Sequence, residues 1–253
     1  MKNFFPIAAA FSFIAPFAVA EDPYTFSASN RPVSAEELAK GIDRGIEFLL
    51  EDQNKDGSWG SPRQTKGLNI YAPAPGAHGA FRTAVTALCI SALYESGDAE
   101  TDEEILESMV RGENYLLAEL PKVRRATGDA IYNVWGHGYG IQALVYMHQR
   151  AEKLKDAPRC EKIRAVINGQ IDRLSRYESV DGGWGYYDFR YQTAKPSSSS
   201  ISFTTATMLV VFKEAESIEG IEVPDKLIKR AIASIKRQQK NDNTYAYGEY
   251  LKL

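Results

Sequence analysis

"QNKDGSWG", Gln53 to Gly60, and "ESVDGGWG", Glu178 to Gly185, stand 125 residues apart, and their reading decides the fold. Each follows a charged, helix-patterned segment and precedes one rich in alanine, threonine and leucine. Aspartate and glycine supply the helix-ending, left-handed and turn conformations that other residues resist. A tryptophan placed just beyond them buries a large ring over the seam between neighbouring helices and offers its indole N–H to a backbone carbonyl. Asp56, Gly57, Trp59 and Gly60, with Asp181, Gly182, Trp184 and Gly185, are therefore expected to be structural corners with no chemistry of their own. A degenerate third version, "QQKNDNTYAYG", puts Asp242 and Tyr245 in the equivalent places.

Outward from these corners, helical periodicity dominates. Ser34-Ala35-Glu36-Glu37 is a capping box, and Leu38, Ile42, Ile46 and Leu49 then lay one apolar stripe along a first helix. Six further helices are predicted in "AFRTAVTALCISALYES", "TDEEILESMVRGENYLLAEL", "GHGYGIQALVYMHQRAEKL", "APRCEKIRAVINGQIDRLSRYE", "SISFTTATMLVVFKEAE" and "VPDKLIKRAIASIKRQQ". The odd helices carry one charged face and the even ones are apolar most of the way round, which implies an outer and an inner layer. Asp181 and Asp242 are 61 residues apart, so the longer first interval hides one more unit. "RGENYLLAEL" supplies its helix and "NVWGHGYG", with Trp135, its corner. The fold class is all-α, built of four helix-corner units across residues 34–253.

Composition bounds what such a chain can do. Its 253 residues carry 30 Lys and Arg against 33 Asp and Glu, without the basic surplus that nucleic-acid phosphates demand, so no nucleic-acid partner is expected. Residues 1–20, "MKNFFPIAAAFSFIAPFAVA", read as a signal peptide cleaved after Ala20, followed by a polar lead at 21–33. The mature protein is expected to be secreted or periplasmic, with no membrane span after cleavage. Of the two cysteines, Cys89 lies in an apolar run and reads as core, whereas Cys160 sits among charges and reads as exposed; both are expected to be free.

The two corner motifs, each behind an amphipathic helix and ahead of an Ala/Thr-rich one, resemble the QW-type repeats of the squalene cyclase and protein prenyltransferase superfamily. The likeness runs over residues 34–253. It implies an α/α toroid, with inner helices around an apolar central cavity and outer helices around those. It does not imply activity, because the same fold serves unrelated functions. The D-x-D-D acid of squalene-hopene cyclases is absent, and the acidic "DAETDEE" from Asp98 to Glu104 stands where carboxylates suit a helix start. The Asp, Cys and His zinc set of the prenyltransferases and the G-C-G-E-Q run of thioester domains are absent too. No cofactor and no metal are expected. A closed toroid takes more hairpins than this chain supplies, so the array is expected to be open or part of a longer product, or to have a partner chain covering its C-terminal end.

Two segments hold candidate binding residues. "DAIYNVWGHGYG" puts Trp135, His137 and Tyr139 at the mouth of an even helix, and "GGWGYYDFRYQ" places Tyr186, Tyr187, Asp188 and Arg190 ahead of the next. Aromatic rings around a cavity mouth suit an apolar ligand, and His137 sits where proton transfer is conceivable. The first functional expectation is an exported repeat protein without catalytic residues that holds an isoprenoid or other apolar molecule. The alternative is a polysaccharide lyase or glycosidase on a related α/α barrel, for which Asp188 with Arg190 and the basic run around Lys122, Arg124 and Arg125 are the available groups.

Overall fold

A computed structural model describes residues 32–60, 77–125, 132–185 and 200–248. Among the described residues the chain is all-helical: α1 (Ala35–Glu51), α2 (Ala77–Ser96), α3 (Glu103–Glu119), α4 (Asn133–Lys153), α5 (Ala157–Tyr177), α6 (Ser202–Ala215) and α7 (Asp225–Gln238), with short 3-10 turns at Asp98–Glu100 and Leu120–Lys122. None of these helices is long and apolar enough to cross a membrane. The predicted signal peptide and polar lead lie outside the described residues, save Pro32 and Val33.

The helices start where local chemistry dictates. Ser34 and Glu37 cap each other reciprocally at α1, as the capping box requires. Asp102 caps α3 by accepting from the backbone N–H groups of Glu104 and Ile105, so the acidic run Asp98 to Glu104 is a helix start. Asp156 caps α5, with Pro158 in the first turn where its missing N–H costs nothing.

α2 packs on α4 and α4 on α6, forming one row; α3 backs α2, α5 backs α4 and α7 backs α6. The three row helices run parallel. At their N-terminal ends Phe81 meets Tyr132 edge-on and Trp135 stacks on Phe203, while near their C-terminal ends Tyr94 stacks on Tyr146 and Gln142 reaches Glu214. Between row and backing lies the core of Ile90, Leu116, Ile141, Leu144, Ile163, Met208 and Phe212, all essentially without solvent contact. Glu113 on α3 is buried and is held by Arg150 of α4, at 3.3 Å, and by Arg159 of α5. A carboxylate so placed is tolerable only because cations meet it there.

The two tryptophan corners make the same bonds. Trp59 donates its indole N–H to the carbonyl of Leu49 at 2.7 Å, and Trp184 donates to Leu174 at 2.9 Å, each ten residues back at the end of the preceding helix. The backbone N–H of each tryptophan donates to a threonine hydroxyl of the next row helix, Thr86 and Thr205, both at 3.0 Å. Gly57 and Gly182 are left-handed and press on the carbonyls of Arg111 and Arg230 in the next backing helix. Those arginines reach back to the corner, Arg111 to Gln53 and Arg230 to Glu178. Gly112 makes room for Trp59: a Cβ there would lie 2.5 Å from a ring carbon. The turn at Asp242 keeps the backbone pattern, with Lys240 N–H donating to Thr244, and Asn243 N–H to Lys240, as in the other two corners. Its Tyr245, however, remains 47% exposed.

Three sequence expectations are corrected here. Trp135 is no corner: α4 begins at Asn133 and Trp135 lies in its first turn, stacked on Tyr139 and Phe203. The second unit closes with the Leu120–Lys122 turn, where buried Leu120 and Val123 occupy the seam and Arg173 of α5 donates to the Val123 carbonyl. Cys160 is buried, because Cys160, Ile163, Ile167, Ile171 and Leu174 share the inward face of α5 while Glu161 and Lys162 turn to solvent and Arg159 reaches in to the buried Glu113; both cysteines are free. Finally, the apolar stripe of α1 is covered only at its C-terminal end. Ile46 and Leu49 pack on the core, but Leu38 and Ile42 stay 59% and 47% exposed, since only the last turns of α1 reach α2 and α3.

Candidate functional site

The row helices turn one face to their backing and leave the other open. On α4 the open face is read out by Trp135, Tyr139, Gln142 and Tyr146, at helical spacings of four, three and four, all half-buried. On α2 it carries Val85 and Leu88, 36% and 43% exposed, and on α6 Phe203 and Val210, 42% and 55% exposed. These are even helices, expected to be buried on most sides; the open face is what their apolar composition leaves in water.

Aromatic rings gather at the N-terminal end of this face. Trp135 lies between Tyr139 and Phe203, stacked on both with centroids at 5.4 and 5.9 Å, and Phe203 meets Tyr247 edge-on at 5.4 Å. Further along, Leu88 and Val210 continue the apolar surface from α2 and α6 on either side of α4. An apolar area assembled from three helices and left exposed marks a binding surface more readily than scattered single residues would. The face ends in polar groups. Tyr146 donates its hydroxyl to Glu95, a bond to the carboxylate that raises the phenol to about 12, with burial and the charges of Glu95 and Glu214 adding to the shift. Tyr146 therefore stays protonated throughout the physiological range and acts here as a donor.

Of the sequence candidates, the structure brings Trp135 and Tyr139 together on this face. His137 is corrected: it is 1% exposed and faces α5, with Nδ1 2.7 Å from Gln170 Oε1. Helix arithmetic could have shown this, since a residue two positions after Trp135 falls on the opposite side of the helix. Tyr186, Tyr187, Asp188 and Arg190 lie outside the described residues. Val85, Leu88, Phe203 and Val210 are not among the sequence candidates, although their spacing within α2 and α6 places each pair on one stripe. The corner residues Asp56 and Asp181 stay off this face. Burial pushes the Asp56 carboxyl up, but hydrogen bonds from Ser58 and the Arg82 guanidinium outweigh it and hold the group below its usual value. Lys122, part of the basic run, is paired with Glu119 at 2.6 Å.

Burial lowers His137 from 6.5 to about 4, the hydrogen bonds to Gln170 and to the Arg124 carbonyl opposing the shift. A histidine with a depressed folded value is neutral in the native state and adds its proton more readily once unfolded. Its contribution to stability is complete above pH 6.5 and is lost as pH falls toward about 4. Denaturant midpoints measured across that window are expected to fall less steeply for His137→Asn than for the unaltered chain. Equal slopes would mean that His137 is already protonated or solvated in the native state.

No family model matches the chain, and no solved structure matches it significantly.

Proposed function

We propose that this is an exported helical-repeat protein of the squalene cyclase/prenyltransferase type, arranged as an α/α toroid, whose open inner face binds an isoprenoid or similar apolar molecule without transforming it. The observation that carries the reading is the exposed surface of Val85, Leu88, Trp135, Tyr139, Phe203 and Val210 on three parallel, adjacent helices. The matched corners at Trp59 and Trp184 support the repeat assignment, because two segments 125 residues apart make the same four kinds of contact. In a toroid of this type the row α2, α4, α6 would be the inner layer and the backing helices the outer one. A non-catalytic role fits a face whose open groups are mainly hydrocarbon and aromatic, and it fits the absence of the superfamily's acid and zinc motifs from the sequence.

Tryptophan fluorescence tests it. Trp59 and Trp184 are buried, so a ligand on this face should perturb Trp135 alone. Titrating the mature chain with farnesol is expected to shift its emission, and Trp135→Phe to remove the shift. Leu88→Glu, at an exposed position, should leave the fold intact and weaken binding by on the order of tenfold or more, since it puts a carboxylate into the contact area. Unchanged emission at saturating farnesol, or binding indifferent to Leu88→Glu, would sink the proposal.

A further inference from the structure

The apolar face has two chemically different ends. Its aromatic cluster lies where α2, α4 and α6 begin, whereas Glu95 and Glu214 stand at the penultimate positions of α2 and α6. A helix C-terminus already carries a negative partial charge, so an acidic side chain in the last turn adds to a potential that a basic one would relieve. α2 has no basic residue in that turn, and α6 has Lys213 directly before Glu214. Between the two carboxylates runs the polar half of the α4 stripe: Tyr146 donates to Glu95, and Gln142 donates to Glu214 at 3.3 Å. Gln142 and Tyr146 are one turn apart on α4, so the two carboxylates are bonded to neighbouring side chains of one stripe. Trp135 and Tyr146 are eleven residues apart on α4, about 16 Å along the axis.

We infer that the face takes a cationic single-chain amphiphile, its hydrocarbon lying along Trp135, Tyr139, Leu88 and Val210 and its ammonium group resting between Glu95 and Glu214. The inference rests on the binding reading above and adds to it the chemistry of the ligand's head. Geometry orients the molecule in one direction only, because the aromatic end offers no carboxylate among its described side chains and the carboxylate end few apolar ones.

Three probes of equal chain length separate head from tail: decylamine, decanol and decanoate, each below its aggregation concentration and followed by Trp135 emission with the Trp135→Phe protein as background. Decylamine is expected to bind more tightly than decanol by on the order of fivefold, the strength of two partly exposed ion pairs, and decanoate most weakly. The double variant Glu95→Gln, Glu214→Gln should bring decylamine down to decanol while leaving decanol unchanged. Equal binding of the three probes, tighter decanoate, or a preference that survives the double variant overturns the head assignment and leaves the apolar face standing. Failure of all three to bind overturns the underlying binding reading as well.

Discussion

Replacing Trp184 by alanine is expected to cost about 3–5 kcal/mol of folding stability, the usual range for deleting a buried aromatic ring. For a domain of this size that corresponds to a fall in Tm of about 10 °C. Two separable effects make up the loss. The ring is 2% exposed and packs edge-on against Phe212 of α6 at 5.6 Å, so its removal opens a cavity between α5 and α6. Its indole N–H also donates to the Leu174 carbonyl near the end of α5, which accepts from the Glu178 backbone N–H at 3.0 Å as well. Trp184→Phe keeps much of the aromatic packing and removes one of the two bonds to that carbonyl, and should cost about 1–2 kcal/mol. Trp135→Ala removes an identical side chain from the open face and should cost under about 1 kcal/mol, because half-buried surface contacts leave no sealed cavity. Calorimetry on the three variants checks the order. Equal losses for Trp184→Ala and Trp135→Ala would mean that the corner carries no special share of stability.

That contrast also measures how much of the molecule was legible in its sequence. The seven helices were readable because the odd ones carry a period of 3.6 over three turns or more, the even ones are apolar runs too long for strands, and caps such as Ser34 and Asp102 mark helix starts. The corner at Trp59 was readable because glycine, aspartate and tryptophan each have a narrow physical use, and the three together fit few other structures. Trp135 misled for the same reason: Asn133 stands where the corners have a left-handed glycine or asparagine and Gly136 follows the ring, but Asn133 begins α4 instead of following a helix end. Only position distinguishes a tryptophan that seals a seam from one that stacks on Tyr139 in the first turn of a helix. Cys160 misled because neighbours in sequence are not neighbours on a helix: Glu161 and Lys162 face solvent, and Arg159 is itself neutralised by the buried Glu113.

The candidate site was half legible. Trp135 and Tyr139 stood out as aromatic residues at a helix start, but their partners on α2 and α6 were invisible as a surface. An alanine- and leucine-rich helix looks the same in sequence whether neighbours cover it on all sides or leave one side open. Tertiary arrangement decides that, and Val85, Leu88 and Val210 acquire meaning only once α2 and α6 flank α4. The carboxylates were harder still. Glu95 and Glu214 belong to helix ends 119 residues apart and become a pair through contacts with Tyr146 and Gln142.

Gly182→Ala is expected to be as damaging as the loss of Trp184, although it adds a single methyl group. Gly182 has φ +95°, and a Cβ there would sit 2.5 Å from the carbonyl oxygen of Arg230. The left-handed conformation alone costs a residue with a side chain roughly 1–2 kcal/mol. Close approach adds more, because the atom in the way is backbone of α7 and can yield only if the helix moves. Such a shift would loosen the bonds Arg230 makes back to the corner, 2.8 Å to Glu178 and 2.6 Å to the Val180 carbonyl, around a Glu178 that is 3% exposed. The total should reach about 3 kcal/mol or more. Gly220 provides the control: it has φ +84° and nothing within 4 Å, so Gly220→Ala should show the conformational cost alone, roughly 1–2 kcal/mol. Asn243 holds the same turn position at φ +63° on an exposed corner, and asparagine is the side chain that tolerates this region best after glycine. Asn243→Gly should therefore change stability by less than about 1 kcal/mol. Chemical denaturation of the three variants tests the argument. A Gly182→Ala loss no larger than that of Gly220→Ala would show that α7 moves aside at no cost, and that the seam between corner and helix is looser than its hydrogen bonds imply.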